Sequence, residues 1–173
     1  FLNGKVAKIE NVEVKNSKKA APLLFNLAEL QNICAKRFKI SPDETLSIAQ
    51  TLYEKKLTTY PRTDARVLST AVAVEINKNI RGIHKGYSNT SKYTDIILSE
   101  ELYHNISNSK YTNDSKVTDH YAIIPTGDTA EIASLSKLQA DVYDLIVRRF
   151  LSIFYPAAIY KTVNISFMVD NEL

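Results

Sequence analysis

Ser41-Pro42-Asp43-Glu44-Thr45-Leu46-Ser47-Ile48-Ala49-Gln50-Thr51-Leu52-Tyr53 opens on three helix-start signals in a row. A serine stands where a hydroxyl can accept an orphan amide. A proline occupies the first helical position, where no donor is missed, and a glutamate follows the cap by three residues. The reading is a helix with Leu46, Ala49, Leu52 and Tyr53 on its inner face. Upstream, Leu27, Leu30, Ile33 and Cys34 recur at helical spacing from Asn26 to about Phe38, with Asn26 and Glu29 placed to cap each other. Downstream, Pro61 pushes Tyr60 toward extended geometry, and Ser69 caps a third helix running to about Arg81. A capping box at Ser136 and Gln139 starts the last helix, whose apolar face is Leu138, Val142, Leu145, Ile146, Phe150 and Ile153, and Pro156 ends it.

The two ends follow a different period. Val6, Ala7 and Ile9 give way to Val12 and Val14, an extended segment with one irregularity. Val163, Ile165, Phe167 and Val169 alternate with polar residues as a half-buried strand would. Lys15 to Lys19 is a charged break between the first strand and the helices. The fold class is therefore mixed and mainly α, a helical domain over 20–156 inserted into a fragment of a β domain made of 1–19 and 157–173. The polar stretch from His84 to Lys116 gives no clear pattern.

Composition narrows the function. The 173 residues are 45% hydrophobic, enough for one core, and the net charge of +3 is too small to demand a nucleic-acid partner. Distribution matters more. Residues 52–86 hold seven lysines and arginines against three acids, a local excess of +4. One cysteine, Cys34, leaves no intramolecular disulfide and fits a reducing compartment, so the cytoplasm is expected. No apolar run approaches the ~18 residues of a membrane span. The chain opens on Phe1-Leu2-Asn3-Gly4 without a methionine and is read as an internal piece of something longer.

Chemistry concentrates in Leu57-Thr58-Thr59-Tyr60-Pro61-Arg62-Thr63-Asp64-Ala65-Arg66. A tyrosine two residues before an arginine in extended chain shares its side, so a phosphate held by the guanidinium could meet the phenol oxygen. A phenol with a reference pKa of about 10 needs activation before it attacks phosphorus, and a nearby cation both favours phenolate and neutralises the transition state. Arg62 is the candidate. Most tyrosines are packing residues and most surface arginines are simply solvated, so spacing alone is a weak case.

The segment from Leu52 through Asp64 closely resembles the active-site segment of type IA DNA topoisomerases, especially the topoisomerase III branch. Thr118-Asp119-His120-Tyr121-Ala122-Ile123-Ile124-Pro125-Thr126 resembles that family's second signature, and Leu24–Gln31 and Val142–Leu151 resemble further segments in the same order. The resemblance implies that Tyr60 is the nucleophile of a 5′-phosphotyrosine intermediate, that Arg62 contacts the scissile phosphate, and that His120 assists. Gln50 and Asp64 match motif positions and are candidate DNA contacts. Lys55, Lys56 and Arg66, with Lys78, are candidates to track the DNA backbone. Tyr121 stands where the family often has a second histidine, and His84 and His104 are read as surface residues.

The resemblance further implies reversible cleavage of one DNA strand with strand passage and without ATP. DNA, mainly single-stranded, is the implied partner, with a helicase as a candidate. Mg²⁺ is implied too, held by a separate N-terminal metal-binding domain of the same parent. This chain shows no acidic cluster of that kind and is expected to be inactive alone. Two alternatives stand beside this reading. One is a non-catalytic single-stranded DNA-binding module. The other is a tyrosine recombinase or type IB enzyme, in which arginines and a histidine precede the tyrosine instead of following it.

Overall fold

The computed structural model describes residues 4–169, so Phe1 to Asn3 and the outer ends of the 1–19 and 157–173 segments lie outside the described residues. The chain divides into two units, one formed by its two ends and the other by Pro22–Tyr155.

The terminal unit is a two-stranded antiparallel ribbon of β1 (Ala7–Lys19) and β2 (Ala158–Val169). Ile9 pairs with Phe167, Val12 with Ile165 and Val14 with Val163, and the register slips between Ile9 and Asn11. That bulge is the irregularity in the β1 sequence. One extra residue lets apolar side chains at odd positions before it and even positions after it share a face. The half-buried reading of β2 does not hold. Val12 is 51% exposed and Val163 48% exposed, because a lone ribbon has no layer of its own to cover the apolar face.

The second unit holds α1 (Leu27–Phe38), α2 (Pro42–Glu54), α3 (Thr70–Glu75), α4 (Asn77–Gly86), α5 (Ser91–Ser99) and α6 (Lys137–Ser152). The Ser41 hydroxyl accepts from Glu44 N at 3.1 Å, and Ser136 with Gln139 forms the full capping box. Leu30 and Cys34 of α1, Ala49 and Leu52 of α2, and Val142 and Phe150 of α6 are sealed from solvent. Each large apolar side chain so buried contributes about 1.5–3 kcal/mol. Asn26 caps α1 by accepting from Glu29 N at 2.9 Å. Reciprocity is absent among the described residues, since the Glu29 carboxylate instead lies 3.5 Å from Arg66 and 3.9 Å from Arg149.

On α2 the inner face is Thr45, Ile48, Ala49 and Leu52. Tyr53 is rotated to the rim, 41% exposed, and Leu46 is only half-buried. The single helix read over 69–81 is two, broken at Ile76 and continuing through Gly82 to Gly86. A Cβ at Gly82 would overlap the backbone of Gly127, itself at φ 93°, so this glycine allows α4 to press against the 125–129 loop. Asn79 Nδ2 donates to Pro125 O there at 2.9 Å.

Candidate active site

Thr58 to Arg66 has no regular secondary structure, yet it is held closely. The preceding Leu57 carbonyl accepts from Thr126 N at 3.1 Å, and Thr59 N donates to Ile124 O at 2.9 Å. The Thr59 hydroxyl donates to Ala122 O and accepts from Ile124 N, both at 3.0 Å. The Thr63 hydroxyl donates to His120 O at 2.8 Å and accepts from Ala65 N at 3.1 Å. Two threonines on either side of Tyr60 thus bond the 120–124 segment, and this brings the two sequence signatures together. Net contributions of about 0.5–1.5 kcal/mol per bond are ordinary, but an orphaned buried group costs about 1–3 kcal/mol, so register matters here.

The consequence is contact between Tyr60 and His120. Their ring centroids are 4.5 Å apart at 45°, and Tyr53 meets the other side of Tyr60 edge-on at 5.3 Å. Tyr60 is half-buried, while His120 is exposed. The cleft in front of them has a volume of about 540 Å³, and its wall includes Glu54, Lys56, Thr58, Tyr121 and Thr126. Burial pushes the Tyr121 phenol above its ordinary pKa, so it is a neutral hydroxyl at pH 7.

Arg62 lines a neighbouring cleft of about 410 Å³ together with Asp43, Gln50 and Glu54. Thr63 N donates back to Pro61 O at 3.0 Å, a tight turn centred on Arg62 in place of the extended backbone expected there. Arg62 is exposed, with no ion pair among the described residues. Gln50 Nε2 donates to Glu54 Oε1 at 3.4 Å, while Gln50 Oε1 is buried without a partner. Glu54 borders both clefts.

The remaining candidates separate by contact. Arg66 is structural, with Nε donating to Leu24 O at 3.1 Å and its guanidinium facing Glu29. Lys55 is held by Glu131 at 3.2 Å and Ser134 at 2.9 Å, and Lys78 pairs with Glu75 at 3.0 Å. The Asp64 side chain is exposed, and its carbonyl accepts from Asn26 Nδ2 at 3.2 Å. His84 lies against Thr94 and Asp95, so it is only half a surface residue, whereas His104 pairs with Glu101 in the open. Tyr53 and Thr58 were not singled out from sequence. Tyr53 was assigned to the core face of α2, although its place at the last turn before the Tyr60 loop was a usable signal.

Comparison with known proteins carries the same pattern across the whole length. The family model described as DNA topoisomerase matches residues 1–173. The chain belongs to the DNA topoisomerase family. DNA topoisomerase 3 of Bacillus subtilis (strain 168) is 39% identical over 99% of the chain, and that of Bacillus licheniformis 38% over 99%. This agrees with the topoisomerase III branch indicated by the motifs. The chain spans about a quarter of the length of these relatives, 23%. Full-length topoisomerase I from Thermotoga maritima has the same fold over 98% of this chain and 26% of its own, with a TM-score of 0.65 at 21% identity.

For the Mg²⁺ expected from the motif resemblance, this chain offers no donor set: among the described residues no three His, Cys, Asp or Glu side chains converge to hold a metal ion. Among them, too, no helix is long and apolar enough to cross a membrane.

Proposed function

We propose that this chain is the nucleophile-bearing part of a type IA DNA topoisomerase, in which Tyr60 opens one strand of DNA. The observation that carries the reading is a half-exposed phenol at the mouth of a cleft, set against the His120 ring by two flanking threonines. A tyrosine meant only for packing would have no need of such a frame.

In this reading the Tyr60 oxygen attacks a backbone phosphorus. The bond from phosphorus to the 3′ oxygen breaks, that oxygen leaves as a hydroxyl, and the 5′ phosphoryl stays on the tyrosine. A second strand passes, and the 3′ hydroxyl then attacks the same phosphorus and frees the phenol. One phosphodiester replaces another at each step, so no nucleotide triphosphate is required. His120 fixes the phenol ring and faces the bound phosphate. Arg62, beside Tyr60 in sequence and lining the adjoining cleft, contacts the scissile phosphate, with Gln50 beside it. Asp64 stays at the rim of the segment.

Magnesium, bound by a metal-binding domain elsewhere in the parent, would supply charge at the scissile phosphate. The chain alone is then inactive in cleavage, and the β1–β2 ribbon belongs to a β-rich gate that moves the covalently held end. The test is Tyr60→Phe in the full-length parent. Loss of supercoil relaxation with retained single-strand binding is expected, while intact relaxation would leave a non-catalytic DNA-binding module as the better description.

A further inference from the structure

DNA is a polyanion, yet two carboxylates line the cleft that holds Arg62. The rest of its wall is α2, which contributes Asp43, Leu46, Ser47, Gln50, Thr51 and Glu54. These recur at i, i+3, i+4, i+7, i+8 and i+11, so they form one face of the helix. At about 1.5 Å per residue that face runs about 16 Å, the length of about five stacked nucleotides at about 3.4 Å each. Glu54 also borders the Tyr60 cleft, so Asp43 marks the far end of the groove.

The wall sorts into one free cation and several acceptors. Arg62 is exposed and has no ion pair among the described residues, although both carboxylates share its cleft. Its guanidinium is left for phosphate. Asp43 is exposed too, with no hydrogen bond or ion pair from its side chain among those residues. Glu54 accepts from Gln50 Nε2 at 3.4 Å. The Thr51 hydroxyl gives its proton to Ser47 O at 3.0 Å, which leaves only lone pairs to offer. Gln50 Oε1 is sealed from solvent and cannot reach a ligand.

Acceptors cannot hold phosphate oxygens, which are acceptors themselves. They match N–H groups on base edges, which a single strand leaves unpaired. Adenine, cytosine and guanine each present an exocyclic amine, whereas thymine has none and sets its ring N–H between two carbonyl oxygens. A carboxylate accepts from the first three and repels the fourth. An acid in the first turn also suits the positive end of α2. Glu44 occupies that turn as well and lines neither cleft, so the helix end alone does not require an acid on the groove face.

Building on the topoisomerase reading above, with Arg62 on the scissile phosphate, we propose that the α2 groove takes bases of the same single strand near the break. Asp43 is then a specificity-determining residue. Its carboxylate accepts from the amine of one base within about five nucleotides of the scissile phosphate and disfavours thymine there. The sugar-phosphate backbone faces outward, away from both carboxylates.

The test measures binding and covalent adduct formation by the full-length parent with Mg²⁺ and a single-stranded oligonucleotide cleaved at one site. Each of about five nucleotides on either side of that site is changed in turn from cytosine to thymine. At one position thymine should weaken binding by the wild type about 5-fold or more, the low end for one base-edge pair. Asp43→Ala should erase that penalty by binding the thymine oligonucleotide more tightly than the wild type does, because the carboxylate facing a carbonyl oxygen is gone. Asp43→Asn, which offers a donor as well as an acceptor, should erase it too. No penalty in the wild type, or the same penalty in Asp43→Ala at every position, overturns the proposal. So does an equal weakening of both oligonucleotides with a lowered melting temperature, the result of a purely structural Asp43. Adduct formation at Tyr60 reports separately on the underlying reading: a wild-type parent that forms none refutes that reading, whereas an adduct with an unchanged thymine penalty refutes the part given to Asp43 alone.

Discussion

The two clefts share Glu54, and Tyr60 of one is two residues from Arg62 of the other, yet they are dissimilar. One holds Tyr60 with His120, Tyr121 and Lys56. The other holds Arg62 with Gln50, Asp43 and the end of α2. The first is framed by Thr59 and Thr63, which tie Tyr60 to a segment sixty residues away. The second is framed by a single helix. Tyr60 and Arg62 thus line different clefts although one residue separates them, with a tight turn from Pro61 to Thr63 between the two. On this account the first cleft carries the nucleophile, and the second carries the strand up to the phosphate that Arg62 contacts.

The largest effect that could break this division is at the nucleophile. Tyr60→Phe should lower covalent adduct formation in the full-length parent by on the order of 10⁶-fold, as removal of a nucleophile does, while single-strand affinity changes little. Arg62→Ala should weaken single-strand binding and its salt slope by about one phosphate contact and slow the reaction at saturating oligonucleotide by about 10²-fold. If Arg62→Ala leaves both rate and binding unchanged, the second cleft takes no part in the reaction.

A smaller effect probes the frame. Thr63→Val keeps the shape of the side chain but leaves His120 O and Ala65 N without their partner. It should destabilise by about 1–3 kcal/mol, read as a lowered melting temperature, and slow adduct formation because the His120 ring loses its anchor. The smallest concerns the second cleft. Gln50→Leu removes a buried carbonyl oxygen that has no partner, so stability should shift by less than about 1 kcal/mol, while binding weakens in the same direction as in Arg62→Ala. These are melting and titration measurements on the parent.

Local signals were legible in the sequence where one residue does one job. The caps at Ser41 and Ser136 were placed correctly because a hydroxyl three residues from an amide has one obvious use. The bulge in β1 was visible as a slip of the apolar period. Contacts between segments were not legible. Arg66 looked like a surface cation until the fold put Glu29 and Leu24 O against it. Arg149, from the far end of the chain, joins it there over the Phe25 ring at 4.1 Å, and its pKa is lowered by burial. Helix α5 was hidden because its buried positions include a threonine. Thr94 is sealed in the core with its hydroxyl returned to Ser91 O at 2.9 Å, and hydropathy counts it as polar. Tyr60 with His120 was legible only through the resemblance of two motifs, since nothing in either segment points to the other.

The central claim is that the Tyr60 oxygen takes up a DNA phosphate. Incubating the full-length parent with Mg²⁺ and a single-stranded oligonucleotide labelled at either end, then digesting and sequencing the adduct peptide, tests it directly. The account predicts a peptide modified at Tyr60 and joined to the DNA through a 5′ phosphoryl group. An adduct on another residue, or one joined through a 3′ phosphoryl group, would contradict it.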